Sequence, residues 1–419
     1  MGQIVLRHIQ QIATPEGKTE RKGTEMNQLH LIEDGAIWIE EDRIRMVGAD
    51  HEVMAALGET DDILWEDCRG KCAIPGFVDA HTHFLFAGSR AEEFDDRLAG
   101  VPYLELLARG GGICRTMQAV REASEEELLS TGKKVLRDML RFGITTVEGK
   151  SGYGLNREDE LKQLRVMRRL NREQPIDIVS TYLGGHAVPP EYQGDSDGYV
   201  EFMTEKMLPL VKDEGLADFV DVFCEQGVFS LAQSRRILTR AKALGFALKL
   251  HADEMSSLGG AGLAHELGAV SADHLLSISK EDILRLSAGN TKAVLLPATA
   301  FCMRCPYAPA RELIAHDVAV ALASDFNPGS CFTYSTALIF ALAVIQMHMT
   351  SAETLTAMTL NGAAALDRAA EIGSLEAGKK ADIILLAAPD YRYLSYKTGL
   401  NLVRTILKDG IVVCGEVEV

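Results

Sequence analysis

The chain carries eleven histidines, and five of them, with one aspartate, stand where apolar runs stop. His81 and His83 close the run Ile74-Pro75-Gly76-Phe77-Val78-Asp79-Ala80. In a strand, residues i and i+2 share a face, so this pair offers two imidazoles to one point. A His-x-His alone is more often two unrelated surface side chains. At the end of a buried run, behind a Pro-Gly turn, it points to a metal. Further runs end in His186, His251, His274 and Asp325. Any one of these alone is more often structural, capping a loop or satisfying a carbonyl; gathered at one rim, they are a set of metal ligands and proton carriers. Three imidazoles and one carboxylate around an ion, with a position left for water, make a hydrolytic site, because the ion lowers the pKa of bound water from roughly 15.7 toward ~7. Imidazole favours Zn²⁺ or Fe²⁺ over Mg²⁺. The run Phe219–Cys224 ends at Glu225 with no lysine that could be carbamylated to bridge two ions, so one metal per chain is expected.

Such residues need a scaffold that brings strand ends together. Eight apolar runs read as strands: Ala73–Ala80, Ile144–Glu148, Ile176–Leu183, Phe219–Cys224, Ala247–His251, Ala269–His274, Ala293–Leu296 and Val318–Ser324. Amphipathic stretches lie between them, at 158–170, 230–244, 260–267 and 280–286, and Ser124 with Glu127 makes a capping box. Eight β-α units over about 250–300 residues predict a (β/α)8 TIM barrel. No G-x-G-x-x-G follows the first strand, which argues against a doubly wound sheet. Before residue 74 the pattern is of short strands, with a hairpin signal at Glu41-Asp42. After about Ile372 strand-like runs return at 383–386 and 411–413. The expectation is an α/β protein with two domains: a small β-sandwich built from both termini (1–74 and 370–419), and the barrel (75–369).

At 419 residues and 47% hydrophobic content the chain has ample material for such a core. A formal charge of −17 argues against nucleic acid or an anionic membrane as partner. An anionic small-molecule substrate would need local cationic and phenolic groups. The N-terminus shows no signal-peptide pattern, and the apolar run at 336–345 falls short of the ~20 residues that span a bilayer. A cytoplasmic protein is expected, and homodimers are common in barrels of this sort. Eight cysteines are scattered; Cys302 and Cys305 form a C-x-x-C with no second pair, which reads as two reduced thiols in a loop.

His81-x-His83, His251, His274 and Asp325 resemble the ligand pattern of the amidohydrolase superfamily. Over nearly the whole chain the similarity narrows to the imidazolonepropionase family. It is carried by 84–94 (FLFAGSRAEEF), Lys150-Ser151-Gly152-Tyr153-Gly154, 185–192 (GHAVPPEY), His251-Ala252-Asp253-Glu254 and 325–330 (DFNPGS). Gly149, Gly185, the stretch 298–302 and Cys331-Phe332 depart from the family pattern and are expected in the pocket wall. The resemblance implies hydrolytic opening of 4-imidazolone-5-propanoate to N-formimidoyl-L-glutamate, in histidine degradation, by a hydrolase of cyclic amide C–N bonds. His81, His83, His251 and Asp325 then hold one Zn or Fe ion. Asp325 takes a proton from water, Glu254 contacts the ring N–H or assists proton transfer, and His274, with His186, stabilises charge on the carbonyl oxygen. Arg90 anchors the propionate, unless it only pairs with Glu92 or Glu93. Tyr103 and Tyr153 supply hydroxyls, and Asn327, Gly329 and Ser330 form a ligand-binding turn. Two rival readings are another mononuclear amidohydrolase, such as a cyclic-amidine or nucleobase deaminase, and a non-catalytic barrel scaffold.

Overall fold

The computed structural model describes residues 2–57, 63–101 and 111–415. Its strands are β1 (Gln3–Thr14), β2 (His30–Glu40), β3 (Arg43–Ala49), β4 (Ile63–Asp67), β5 (Cys72–Pro75), β6 (Phe77–Asp79), β7 (Ile144–Lys150), β8 (Asp177–Gly185), β9 (Phe219–Cys224), β10 (Ala247–Ala252), β11 (Ser271–His274), β12 (Lys292–Leu295), β13 (Val320–Leu322), β14 (Ile383–Leu386), β15 (Val403–Lys408) and β16 (Ile411–Cys414). Strands β6 to β13 pair in chain order into one eight-stranded sheet. All its pairings are parallel, with helices in the connections, as a right-handed β-α succession requires. The two edges meet through single bonds. The Ser324 N–H donates to Asp79 Oδ1 at 2.9 Å, Asp325 N–H to the His81 carbonyl at 3.0 Å and His83 N–H to the Phe326 carbonyl at 2.9 Å. The result is a nearly closed barrel.

Helix boundaries follow local chemistry. Ser124 and Glu127 form the expected reciprocal cap on helix Glu125–Leu140, and Ser230 with Gln233 does the same for Leu231–Ala243. Among the described residues no helix is long and apolar enough to cross a membrane.

A second eight-stranded sheet draws on both ends of the chain, in the order β16-β15-β14-β5-β1-β2-β3 with β4 also on β1. Glu41-Asp42 turns β2 into β3 as expected. Its apolar face buries Leu6, Ile9, Ile37, Ile383 and Leu407. The run 73–80, expected as one strand, is two. Cys72–Pro75 belongs to the terminal sheet, antiparallel to β14, and Phe77–Asp79 opens the barrel beside β7. Gly76 makes the crossing: its N–H donates to the Asp382 carbonyl at 2.9 Å, and a Cβ there would collide with the Thr145 side chain. Only glycine lets the chain pass so close.

Candidate active site

Because β6 ends at Asp79, His81 and His83 lie just beyond the strand rather than in it. The two backbone bonds to Asp325 and Phe326 continue the extended pairing for those residues, so the i, i+2 relation survives. His81 Nε2 and His83 Nε2 come to 3.6 and 3.5 Å from Asp325 Oδ1. His251, at the end of β10, brings Nε2 to 3.4 Å from His83 Nε2. The ligand atoms of His81, His83 and His251 all lie within 4.8 Å of one another, and so do those of His81, His274 and Asp325. His274 therefore joins the cluster itself. Asp253, His274 and Asp325 all adopt left-handed backbone, at φ 50°, 78° and 53°; strain of this kind is stored at functional sites.

Burial holds the imidazoles of His81, His83 and His274 well below their ordinary pKa and lowers His186 to about 3. These rings are neutral. His81 Nε2, His83 Nδ1, His251 Nδ1 and both nitrogens of His274 have no well-aligned hydrogen-bond partner though fully buried. Neutral rings that turn nitrogens toward one another and toward a carboxylate, with polar atoms left unsatisfied, fit a cation at the point where they converge. Behind them, Asp273 Oδ2 lies 2.6 Å from His81 Nδ1 and Asp221 Oδ2 lies 2.8 Å from His251 Nδ1. Thr299 donates its hydroxyl to Asp325 Oδ2 at 2.7 Å.

Glu254 sits above this cluster with Oε1 3.6 Å from His274 Nδ1. Burial, then the nearby Asp325 carboxylate, push its carboxyl up to about 8, which favours the protonated form. Its loop is fixed from both sides. Asp253 accepts the N–H groups of Gly259, Gly260 and Ala261, and Glu225 accepts Met255 N–H at 2.9 Å and the Ser256 hydroxyl.

His186 stacks on His83 with ring centroids 4.8 Å apart and 19° between planes, and its Nδ1 meets the Gly152 carbonyl at 3.1 Å. Tyr153 packs against both rings, at 6.0 and 5.3 Å. Arg90 is paired with Glu93, Nε to Oε2 at 2.9 Å, yet this is not a surface pair: the side chains are 14% and 8% exposed. The guanidinium lies against Gly329, where a Cβ would strike Nη1. Asn327 spends its amide inside the turn, accepting Gly329 and Ser330 N–H at 2.8 and 2.7 Å and donating to the Asp325 carbonyl at 2.6 Å. Tyr103 lies outside the described residues.

Several participants were not singled out in the sequence: Asp221, Asp273, Thr299 and the buried Glu148, Lys150 and Lys249. A signal existed, since Lys249 precedes His251 by two residues and so shares its face, and a charge inside a buried parallel strand is unusual. One expectation is corrected. Gly149 does not face the pocket; a Cβ there would meet Phe84, Met167 and Ile178, between barrel and helix layer. No disulfide joins Cys302 to Cys305.

The sequence profile of the Amidohydrolase family matches residues 72–415. The chain is 49% identical to the imidazolonepropionase of Clostridium tetani over 413 residues, covering 98% of each chain. It is 51% identical to that of Parabacteroides distasonis over 407 residues, 97% of this chain and 98% of the relative. Solved structures share the fold at low identity. E. coli guanine deaminase superposes with a TM-score of 0.75 at 15% identity, over 99% of this chain and 100% of that one. The zinc complex of the atrazine chlorohydrolase TrzN from Arthrobacter aurescens gives 0.70 at 17%, over 98% and 95%.

Proposed function

As the chain belongs to the amidohydrolase family and, within it, to the imidazolonepropionases, we propose that its barrel rim carries out the ring opening of 4-imidazolone-5-propanoate. The enzyme is a hydrolase, and its product is N-formimidoyl-L-glutamate. What carries the reading is that His81, His83 and His251 converge, with Asp325 Oδ1 3.6 and 3.5 Å from the first two, in a chain about half identical, end to end, to enzymes of that name.

In this proposal those four residues hold one ion, Zn or Fe, since the nitrogen-rich donor set suits a transition metal. Such an ion supplies activation of water at neutral pH. The water oxygen adds to the ring carbonyl carbon, the bond from that carbon to the ring nitrogen breaks, and the nitrogen leaves with a proton. Asp325 receives the proton of the attacking water. Glu254, whose carboxyl burial shifts toward its protonated form, hands a proton to the departing nitrogen. His274, kept neutral by burial, donates an N–H to the carbonyl oxygen as charge builds there, and His186, stacked on His83, is placed to assist. Arg90 turns the edge not used by Glu93 toward the propionate, and Tyr153 walls the pocket. Asn327 shapes the turn that carries Gly329 and Ser330. The reaction belongs to histidine degradation.

A deaminase of nucleobase type would share the histidines, Glu254 and Asp325. A buried arginine at the rim suits a carboxylate tail, which a nucleobase lacks. The test is an assay of purified, metal-analysed protein with freshly prepared 4-imidazolone-5-propanoate, following loss of its ultraviolet absorbance. Turnover to N-formimidoyl-glutamate with one metal per chain is expected. A fully metallated protein that leaves this compound intact would overturn the assignment.

A further inference from the structure

The layer beneath the proposed ligands is charged rather than apolar. Glu148, Lys150, Asp221, Lys249 and Asp273 project into the barrel, each at most 1% exposed. Lys150 Nζ lies 2.6 Å from Asp221 Oδ2, 3.0 Å from Glu148 Oε1 and 3.7 Å from Asp273 Oδ2. Lys249 Nζ lies 2.7 Å from Glu148 Oε2 and 3.9 Å from Asp273 Oδ2, and donates to the Ala80 carbonyl at 2.8 Å. Barrel interiors are ordinarily filled by branched apolar residues. Ionised groups withdrawn from water persist only when paired, and even then apolar replacements often do as well for stability. Stability alone therefore does not account for five such groups in one layer.

Two of the three carboxylates reach upward. Asp273 faces His81 Nδ1 and Asp221 faces His251 Nδ1. Glu148 makes no hydrogen bond to a histidine, although a carboxylate oxygen lies within 4.8 Å of a His81 ring nitrogen; it bridges the two lysines and accepts from Thr181. A carboxylate oxygen this close to Nδ1, hydrogen-bonded at His81 and in ion-pair contact at His251, calls for a proton on that nitrogen, since two acceptors would otherwise meet. A neutral ring with Nδ1–H carries its lone pair on Nε2, the nitrogen that both rings aim at the common point. His83 is held differently, by stacking on His186.

We propose that Lys150, acting through Asp221 and Asp273, is a positioning residue that fixes His81 and His251 in one tautomer and so readies the site for its metal. Of the two lysines, Lys150 is the one within 4.0 Å of both backing carboxylates. With an apolar side chain in its place, three carboxylates face one remaining ammonium, and their repulsion turns Asp221 and Asp273 away from the imidazoles. An amide in place of either aspartate acts more directly. Its NH2 can donate to Nδ1, which moves the ring proton to Nε2 and blocks the lone pair a metal needs. The inference rests on the metal-site reading given above.

The experiment uses the full chain stripped of metal and labelled with ¹⁵N-histidine. Ring-nitrogen chemical shifts, assigned by single histidine substitutions, report the tautomers, and competition with a chromophoric chelator reports Zn²⁺ affinity. At alkaline pH, where both rings are neutral, the expected wild-type state is Nδ1–H at His81 and His251. Lys150→Met, Asp221→Asn and Asp273→Asn should each lose about 10- to 100-fold in Zn²⁺ affinity, the range found for outer partners of metal-binding histidines. Each should keep a cooperative thermal transition. Nε2–H tautomers in the wild type, or unchanged Zn²⁺ affinity in folded variants, overturn the proposal. Should Lys150→Met fail to fold, the wild-type tautomers and Asp273→Asn decide it. A wild-type chain that binds Zn²⁺ while its folded variants bind it equally well overturns the positioning role alone. A wild-type chain that binds no metal overturns the metal site with it.

Discussion

Arg90→Ala separates the two roles open to that side chain, anchor for the substrate's tail and partner of Glu93. The guanidinium gives Nε to Glu93 Oε2 at 2.9 Å, which leaves the Nη edge, beside Gly329, for a carboxylate. A hydrogen bond to a charged group is worth about 1.5–3 kcal/mol, and each ~1.4 kcal/mol is tenfold. Loss of the anchor should therefore raise KM roughly 10- to 100-fold. Metal content should not change, because Arg90 lies outside the histidine cluster. Glu93 keeps the Gly112 N–H at 3.1 Å but loses a buried counter-charge, which lowers stability by about 1–3 kcal/mol, so a thermal melt must show that the assayed sample is folded. The decisive control is the same ring without its propionate. On that compound variant and wild type should turn over alike, since there is no tail to hold. An unchanged KM for the natural substrate, or an equal penalty on the tail-less ring, would refute the anchor.

Glu254→Gln removes the proposed proton donor while keeping shape, and should lower kcat by about 10²- to 10⁴-fold with metal content intact; steady-state kinetics showing near-normal kcat would remove it from the mechanism. Gly149→Ala should cost about 1–3 kcal/mol, because its Cβ meets the Phe84 ring and the Met167 sulfur at 2.8 and 2.9 Å. Gly185→Ala, whose nearest neighbour is the Val222 side chain at 3.3 Å, should unfold near the wild-type temperature; equal melting temperatures for the two variants would contradict this. The Arg7 hydrogen bond holds the Asp50 carboxyl below its ordinary value of 3.8. Its contribution to stability is complete above that value and is lost as the pH falls through the lowered one. Denaturant titrations of wild type and Asp50→Asn should accordingly converge in acid and differ at neutral pH, and a constant gap would count against the pair.

The barrel is readable because apolar runs recur with amphipathic stretches between them, and five of the eight runs close in a histidine or aspartate of chemical interest. His81-x-His83, His251, His274 and Asp325 were found from where their runs stop, without knowledge of what they face. The split at Gly76 is only half readable. Pro75-Gly76 signals a turn inside the run from Ala73 to Ala80, but that the turn passes the chain from one sheet to another is decided by the close approach of Gly76 to the Thr145 side chain, which exists only in the folded chain. β15 is hard to read because Val403–Lys408 mixes charge with apolar residues, even though Gly399 and Asn401 punctuate the chain just before it. Arg90 illustrates a different limit. Its spacing to Glu93 foretold the pair, while its burial, which decides whether the pair matters, comes from elements distant in sequence. The charged layer under the histidines was overlooked for a related reason: lysine in a strand reads as a solvated face until both faces prove to be covered.

The one-residue crossing at Gly76 also bears on the order of events as the chain is made. β5 lies between β1, delivered at the start of synthesis, and β14, delivered more than 300 residues later. The segment bearing His81 and His83 hangs directly from that strand. Until residues 383–386 leave the ribosome, β5 has one edge unpaired, and Gly76 lacks the Asp382 carbonyl that accepts its N–H. A nascent chain long enough to contain every proposed ligand thus still lacks the strand that seats two of them. Loading with metal becomes a late event in the life of the polypeptide, and truncation near the C-terminus should leave a chain poor in metal although no ligand has been removed.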